Sequence, residues 1–491
     1  MNPVTAARGM VRRNSNALLL VVCLGQFMVI LDVSIVNVAL PSIKDSLGFS
    51  TNGLQWVLNA YTLTFAGFLL LGGRATDLFG RRRMFFGGTL LFSAASLLCA
   101  LAPTSGALLG ARAIQGIGAA ILSPATLAII ATSFDEGPPR NRALGAWGAV
   151  GAIGATSGVL LGGVLTEAFS WPAIFVINVP IGVAIVLFSS RLVPEGRSES
   201  ENRHFDLPGA VLVTLGMTAL TYGIVTTDRL SWGSPGVLVP LAAGTALLVA
   251  FLLYEANLAR RPERTPLMPL SVFRLRDLRA ANVVIFLLYA AIFGFWFFQS
   301  LYMQGTLHYS ALQTGIAFVP MTLAVGTGAT LAPRIARRIG ARWVLVAGML
   351  FATLGEALLT GVGPSGNYWT DVFPGGMLGA LGLGLALVPA TIVAVQGVPG
   401  HLSGLASGVL NTSRFVGAAL GLAVLTTLAT SRTHSEVASG TSAVKALTDG
   451  FELQFGVGAL FCLVGAVAAI VLLRPRRDRE PAAVVAEAES A

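Results

Sequence analysis

Charge is the scarcest resource in this sequence. Only 11% of its 491 residues are Asp, Glu, Lys or Arg, against about 25% in soluble domains. A chain so poor in charge has too little polar surface to cover a water-soluble fold. Lysine is almost missing: Lys44 and Lys445 stand against 30 arginines. Cysteine is rare too, and Cys23, Cys99 and Cys462 each lie alone in an apolar run. That excludes a disulfide framework and a thiolate metal centre. The 4 histidines, His204, His308, His401 and His434, are scattered, so no metal is expected. GxxxxGK[ST], HExxH and GxSxG are all absent, so neither ATP drive nor hydrolytic chemistry is expected within this chain. No catalytic residue and no cofactor is assigned.

What the chain has is apolar length. It is 54% hydrophobic, with a mean hydropathy of +0.76. A membrane-spanning helix needs about 20 mostly apolar residues. Fourteen such runs are present, at about 17–39, 54–73, 84–102, 107–131, 143–166, 173–190, 208–227, 236–255, 280–303, 311–332, 342–362, 371–395, 402–428 and 452–473. The 57 glycines suit close helix packing in a bilayer. The expected fold class is an all-α integral membrane protein. The first run is too long for a signal peptide and reads as an uncleaved first helix.

The net charge of +9 raises the question of nucleic acid, and its placement answers it. With the N-terminus inside, 26 of the 32 basic residues fall on the cytoplasmic side and 4 outside. Arg112 and Arg414 lie within helices. This asymmetry supports an even number of spans with both termini cytoplasmic. No basic domain is left over for nucleic acid.

The runs group into blocks. Residues 1–16 form a cytoplasmic N-terminus and 17–190 a six-helix bundle. Residues 191–279 hold cytoplasmic linkers around two additional helices, 208–255. Residues 280–473 form a second six-helix bundle. The tail, 474–491, is short and polar and predicts disorder. A weak echo joins the bundles: "GGRATDLFGRRRMF" (72–85) and "APRIARRIGARWVL" (332–345) occupy matching places. Aligning Gly80 with Gly340 sets Arg337 opposite Asp77. Two related six-helix halves are the mark of a duplicated transporter.

Asp32 stands inside the apolar run "VILDVSIVNVALP" (29–41). An ionised group at the bilayer centre costs about 2.5–3.5 kcal/mol on insertion scales. Helix 1 leaves the membrane near residue 39, which puts Asp32 about 10 Å below the outer end at 1.5 Å per residue. Helix 4 enters near residue 107, which puts Arg112 about 7–8 Å down. The depths match, so an Asp32–Arg112 pair is expected. Such a pair is either a static pin between helices 1 and 4 or a proton switch. Arg414, near Asn411, either fixes packing or meets an anionic group. Gln26, Asn37, Gln115, Gln299, Gln304 and Gln396 are polar groups at membrane depth, serving as helix glue or as pocket contacts.

The loop "GGRATDLFGRRR", with Gly73, Asp77, Gly80, Arg81 and Arg82, resembles the signature between helices 2 and 3 of the major facilitator superfamily. "LDVSIVNVALP", "LLGARAIQGIGAA" (108–120), "SWPAIFVINVPIG" (170–182), "PLMPLSVFR" (266–274), "YMQGTLHYSALQTGIAFVP" (302–320) and "SGLASGVLNTSRFVGAALG" (403–421) are similar to its fourteen-helix drug:proton antiporter branch. The resemblance covers about residues 17–473. It implies the major facilitator fold: two six-helix bundles plus two extra central helices. It implies proton-coupled efflux of hydrophobic or cationic drugs across the cell membrane, by a monomer whose partners are protons, a small-molecule substrate and the bilayer. Exporters of lipids or metabolites, proton symporters and non-transporting sensors remain alternatives. It also implies a gating role for the loop residues and a central cavity lined by helix 9. Phe27, Gln115, Trp147, Phe293, Trp296, Phe297, Gln299, Asn411 and Arg414 are then candidate substrate contacts. Only one face of a helix meets a cavity, so about half the aromatics are expected elsewhere. Glu356 lies peripherally in that layout. Helix 5 departs from the branch: "GATSGVLLGG" (154–163) keeps Gly154, Gly158, Gly162 and Gly163 but has Ala155 and Val159 where proline is common. Close helix approach survives this change; a proline kink does not.

Overall fold

In the computed structural model, the structure describes residues 15–135, 138–195, 206–227, 230–260, 266, 275–395 and 403–473. Among them are fourteen helices long and apolar enough to cross a membrane. They are α1 Ser15–Leu47, α2 Trp56–Phe79, α3 Arg81–Ala100, α4 Ser105–Ser133, α5 Pro138–Phe169, α6 Ala173–Leu192, α7 Leu207–Thr226, α8 Pro235–Leu258, α9 Arg276–Gly305, α10 Ala311–Ile339, α11 Ala341–Leu359, α12 Phe373–Val395, α13 Ser403–Ala438 and α14 Ala443–Leu472. Several outrun the apolar stretches that announce them. α1, for example, continues past residue 39 to Leu47, because a helix goes on wherever its backbone bonds stay satisfied. Gln396, the tail, and most of both linkers lie outside the described residues.

Local chemistry sets the helix ends. Thr104 accepts from the Ala107 N–H at 3.2 Å and caps α4. Ser310 and Gln313 form a capping box on α10. Asp206 caps α7 through the Gly209 N–H, 2.9 Å away. Gly80 joins α2 to α3 at φ 99°, where a side chain would be strained.

Two blocks emerge from the packing. In the first, α1 packs on α5, α2 on α4, and α3 on α4; in the second, α9 packs on α13 and α14, and α12 on α10 and α11. The blocks meet along α5–α10 and α2–α13. α7 and α8 pair with each other, and α7 lies against both α2 and α13. This pair is central in sequence and lateral in space. Only 17% of the most apolar window of α8 is buried, so α8 turns its surface to lipid.

Glycine permits the closest approaches. Gly158 of α5 sits on Leu31 and Ser34 of α1, and Gly162 on Ile35. Gly154 packs on Ile30 and the Phe27 carbonyl. α5 runs unbroken from Pro138 to Phe169. Gly163 differs from these three: it faces Ala311 and Leu312 of α10, across the boundary between blocks.

Candidate functional site

The Asp32 carboxylate is fully buried beside Arg112, with Oδ2 accepting from the guanidinium at 2.5 Å. Its other oxygen, Oδ1, accepts from the Gln115 amide at 2.8 Å and the Asn178 amide at 3.1 Å. Arg112 also donates to Gln115 Oε1 at 2.7 Å and, through Nε, to the Val57 carbonyl at 3.0 Å. Ser96 closes the cluster. Its hydroxyl accepts from Gln115 at 3.1 Å and Asn178 at 3.0 Å, and donates to the Phe175 carbonyl at 3.0 Å. Cys99 Sγ lies 3.6 Å from Gln115 Oε1. The guanidinium stacks over the Tyr61 ring, 4.5 Å from its centroid. A buried charge is tolerated only when paired and hydrogen-bonded, and both charges here are.

The expected Asp32–Arg112 pair is therefore present. Sequence reasoning missed Tyr61, Ser96 and Asn178; Gln115, expected as helix glue or as a substrate contact, hydrogen-bonds the carboxylate. A signal was available. Ser96 lies four residues from the outer end of α3, Tyr61 five from that of α2, Asn178 five below Ala173, and Arg112 seven from that of α4. At 1.5 Å per residue all four lie about 6–11 Å deep. Polar residues sharing one depth are candidates for one network.

Above this layer the arginine-poor, outer ends of the two blocks are closed. Ser300 donates to the Asn37 carbonyl at 2.8 Å, and Gln304 to the Val38 carbonyl at 2.9 Å. Glu167 accepts from the Leu312 N–H at 3.1 Å, and Thr430 donates to Asn52 at 3.1 Å. Gly315 packs on Val159 close to Gly163. Gln304, expected as a glue or pocket group, belongs to this seal, whereas the Asn37 side chain donates to the Val33 carbonyl of its own helix at 3.0 Å and only its backbone carbonyl is in the seal.

The remaining candidates divide by face. Arg414 donates to Asn411 at 2.7 Å and Thr391 at 2.8 Å, and its guanidinium lies 5.9 Å from the Tyr289 ring centroid. Tyr289 in turn lies 6.2 Å from Phe293. This half-buried group joins α9, α12 and α13. Trp296 turns toward Phe318 of α10 at 5.2 Å. Phe297 is fully buried against Phe298, whose ring meets Phe451 of α14. Gln299 donates to the Phe295 carbonyl at 3.1 Å. Trp147 donates to Thr126 at 3.0 Å, inside the first block, and Gln26 accepts from Ser123 at 3.4 Å. Phe27 is half-buried on α1.

In the α2–α3 loop, Gly73 lies near Pro124 of α4. The side chain of Asp77 lies outside the described residues. Arg82 bonds the Ser190 carbonyl and pairs with Glu195 at 3.3 Å. Arg81 is half-buried at the start of α3.

Comparison with known proteins gives one answer. The sequence profile of the Major Facilitator Superfamily matches residues 22–422. The chain is 42% identical to the cephamycin export protein CmcT of Amycolatopsis lactamdurans, over 86% of this chain and 87% of that one. It is 40% identical to the puromycin resistance protein pur8 of Streptomyces alboniger, over 94% and 92%. Among solved structures, an inward-facing bacterial homologue of the human lysosomal transporter Spinster superposes with a TM-score of 0.65 at 16% identity, over 95% of this chain and 99% of that one. At that identity the likeness speaks for the fold alone. By sequence and by architecture, the chain belongs to the Major Facilitator Superfamily, in its drug- and antibiotic-resistance branch, as a small-molecule efflux transporter of the cell membrane.

Proposed function

We propose that the chain exports hydrophobic or cationic antibiotics in exchange for protons, by alternating access of two six-helix blocks, residues 17–190 and 280–473. The observation that carries this reading is the buried Asp32–Arg112 pair, 2.5 Å apart, directly beneath a closed outer seal. Paired with Arg112, the carboxylate belongs to the state that has released its proton inward and takes up substrate. When the outer end opens, a proton from outside adds to Asp32, the pair breaks, and the blocks turn with the acid neutral. A potential of 100 mV supplies about 2.3 kcal/mol per charge. Net hydrogen bonds contribute about 1 kcal/mol each, so the few bonds of the seal hold a state that this drive is able to overturn.

The names of the relatives support export of antibiotics over import. Phe293, Trp296, Asn411 and Arg414 are the proposed substrate contacts; their mix of apolar and polar groups suits drug-sized ligands. Gly73, Asp77, Gly80, Arg81 and Arg82 act at the inner gate. α7 and α8 form a separate lateral unit, and the working unit of this proposal is the monomer. The test is efflux of a panel of dyes and antibiotics from energised cells, with and without a protonophore, for wild type and Asp32→Asn. Efflux stops on collapse of the gradient and in the variant, which still inserts. Efflux that survives the protonophore overturns the reading.

A further inference from the structure

Outside the Asp32 cluster, a second acid is buried with nothing to neutralise it. Glu356 of α11 is 1% exposed, and neither carboxyl oxygen has a hydrogen-bond partner. It rests on Gly458 of α14, where an added Cβ would meet the carboxyl group at about 2.9 Å. Among the described residues, no countercharge faces it from the packed helices. α12 holds no titratable residue. On α14, Cys462 lies one turn inward of Gly458; Lys445 and Asp449 pair with each other at 3.3 Å near the outer end, and Glu452 is exposed. On α10, Arg334, Arg337 and Arg338 lie at the inner end, as does Arg342 on α11 itself. Before α12, Asp371 accepts from Thr370 and from the Asn367 N–H. An ionised carboxylate in such a place costs several kcal/mol.

The acid is also tied to the outer seal. Glu356 lies three residues before the end of α11, about 4.5 Å below it by helical rise. Tyr302 of α9 donates to the Gly363 carbonyl just beyond α11 at 2.8 Å, and its ring lies 6.3 Å from that of Phe451 of α14. Tyr302 stands between Ser300 and Gln304, the residues that bond α9 to α1. Gln454, one turn outward from Gly458, is fully buried with both amide atoms unpartnered, and lies close to Gly294 of α9. Thus the helix that makes the seal also holds α14, on which the acid rests, and the turn just beyond the acid's own helix.

We infer that Glu356 is a second proton-binding site, loaded from the outer side, and that its neutral form is required for the outer end to close. Closing the seal holds α14 over the acid, through its packing on α9. Opening it admits water; the carboxyl O–H bond then breaks, the proton passes to water, and a carboxylate remains. By reciprocity, outer acidity favours closure. The sign follows: the neutral acid supports the closed state at low pH, and that support fades as pH rises. This inference concerns closure, and it stands apart from the proton step at Asp32.

The experiment measures outer closure directly. Spin labels on exposed Ser46 and Ser365, in a chain lacking its three buried cysteines, report the distance between the blocks in lipid vesicles by pulsed electron resonance. The short-distance population of the otherwise native chain rises severalfold on acidification. In Glu356→Gln it is already high at neutral pH and its response shrinks to what Asp32 supplies, and in Glu356→Asp, which keeps the acid, the full dependence returns with a displaced midpoint. Infrared spectra of the native chain, which need no variant to fold, show a protonated-carboxyl band in the closed state. That band weakens when Gly315→Trp props the outer end open. An unchanged pH response in Glu356→Gln, or a carboxyl band indifferent to the prop, overturns the inference. A response lost in Asp32→Asn and kept in Glu356→Gln does so too, while leaving the coupling role of Asp32 intact.

Discussion

Gly80 and Gly340 hold nearly the same backbone, φ 99° ψ 138° and φ 90° ψ 147°, at equivalent inner turns of the two blocks. Each links two spanning helices without a loop, and each lies where an L side chain clashes. Backbone strain of this kind costs about 1–3 kcal/mol per residue. Gly80→Ala and Gly340→Ala are each expected to lower stability by that amount, read as earlier thermal unfolding in detergent. Equal losses support a duplicated structural turn, and a transport loss in Gly80→Ala beyond its stability loss supports the proposed gate.

Asn178 presents a different test. Its amide donates to Asp32 Oδ1 and to Ser96, and both contacts are fully buried. A hydrogen bond to a charged group contributes about 1.5–3 kcal/mol. Asn178→Ala is expected to cut proton-driven efflux about tenfold or more while surface expression holds. Asn178→Asp places a second acid beside the first and is expected to be worse. Full efflux in both variants would show that the amide is packing only.

The fourteen spans were legible because a bilayer demands about 20 apolar residues in a row, and a linear count finds them. The Asp32–Arg112 pair was legible because depth is also a linear quantity, counted from residue 39, where the apolar run ends, and not from Leu47, where α1 does. Asn178 and Ser96 share that depth yet were passed over, because uncharged polar residues are common helix glue. In sequence Gln115 stays open between helix glue and substrate contact, because its direction, here onto Asp32 and Arg112, depends on how α4 is rotated, which depth does not fix. The face of Gly163 depends on the same missing angle: one residue from Gly162, it turns to another block. Glu356 was visible as an acid in a span, but its lack of a partner is a three-dimensional fact.

Arg112 makes its contacts as a fork, with Nε on the Val57 carbonyl and Nη1 shared by Asp32 and Gln115. Lysine has no such fork. Arg112→Lys is expected to insert normally and lose efflux. Removing either partner of a buried pair costs about 3–5 kcal/mol, because the other charge is left alone. Asp32→Asn and Arg112→Gln are each expected to lower the unfolding temperature, and their combination to recover most of that stability with no recovery of transport. A double variant as unstable as the sum of the singles would sink the pairing argument.

The inner-face pair of Arg82 and Glu195 should matter far less to stability. Its side chains are 32% and 73% exposed, and exposed pairs contribute about 0–1 kcal/mol. Glu195→Gln is expected to leave both unfolding temperature and efflux unchanged at moderate salt. If it lowers efflux with stability intact, the latch reaches the linker after α6 and the gate is larger than the α2–α3 loop.

Gly154, Gly162 and Gly163 separate packing within a block from packing between blocks. At Gly154 an added methyl meets Ile30 side-chain atoms at about 3.3 Å, which give way. At Gly162 it meets the Ile35 carbonyl at about 2.7 Å, where α1 has to shift. Overpacking of that kind costs about 1–3 kcal/mol, so Gly162→Ala is expected to unfold earlier than Gly154→Ala. At Gly163 the methyl meets the Ala311 carbonyl of the opposite block at about 2.6 Å. On the proposed alternating access, that contact exists only while the outer end is closed. Relief there requires no loss of folding, because opening removes the clash. Gly163→Ala is therefore expected to keep its unfolding temperature and to raise thiol labelling of a cysteine placed at Gln304, inside the seal. Bulk acts in the same direction, so Gly163→Leu is expected to label faster still. If Gly163→Ala destabilises the fold as Gly162→Ala does and leaves labelling unchanged, the outer contact is a fixed part of the core and alternating closure at this seam is wrong.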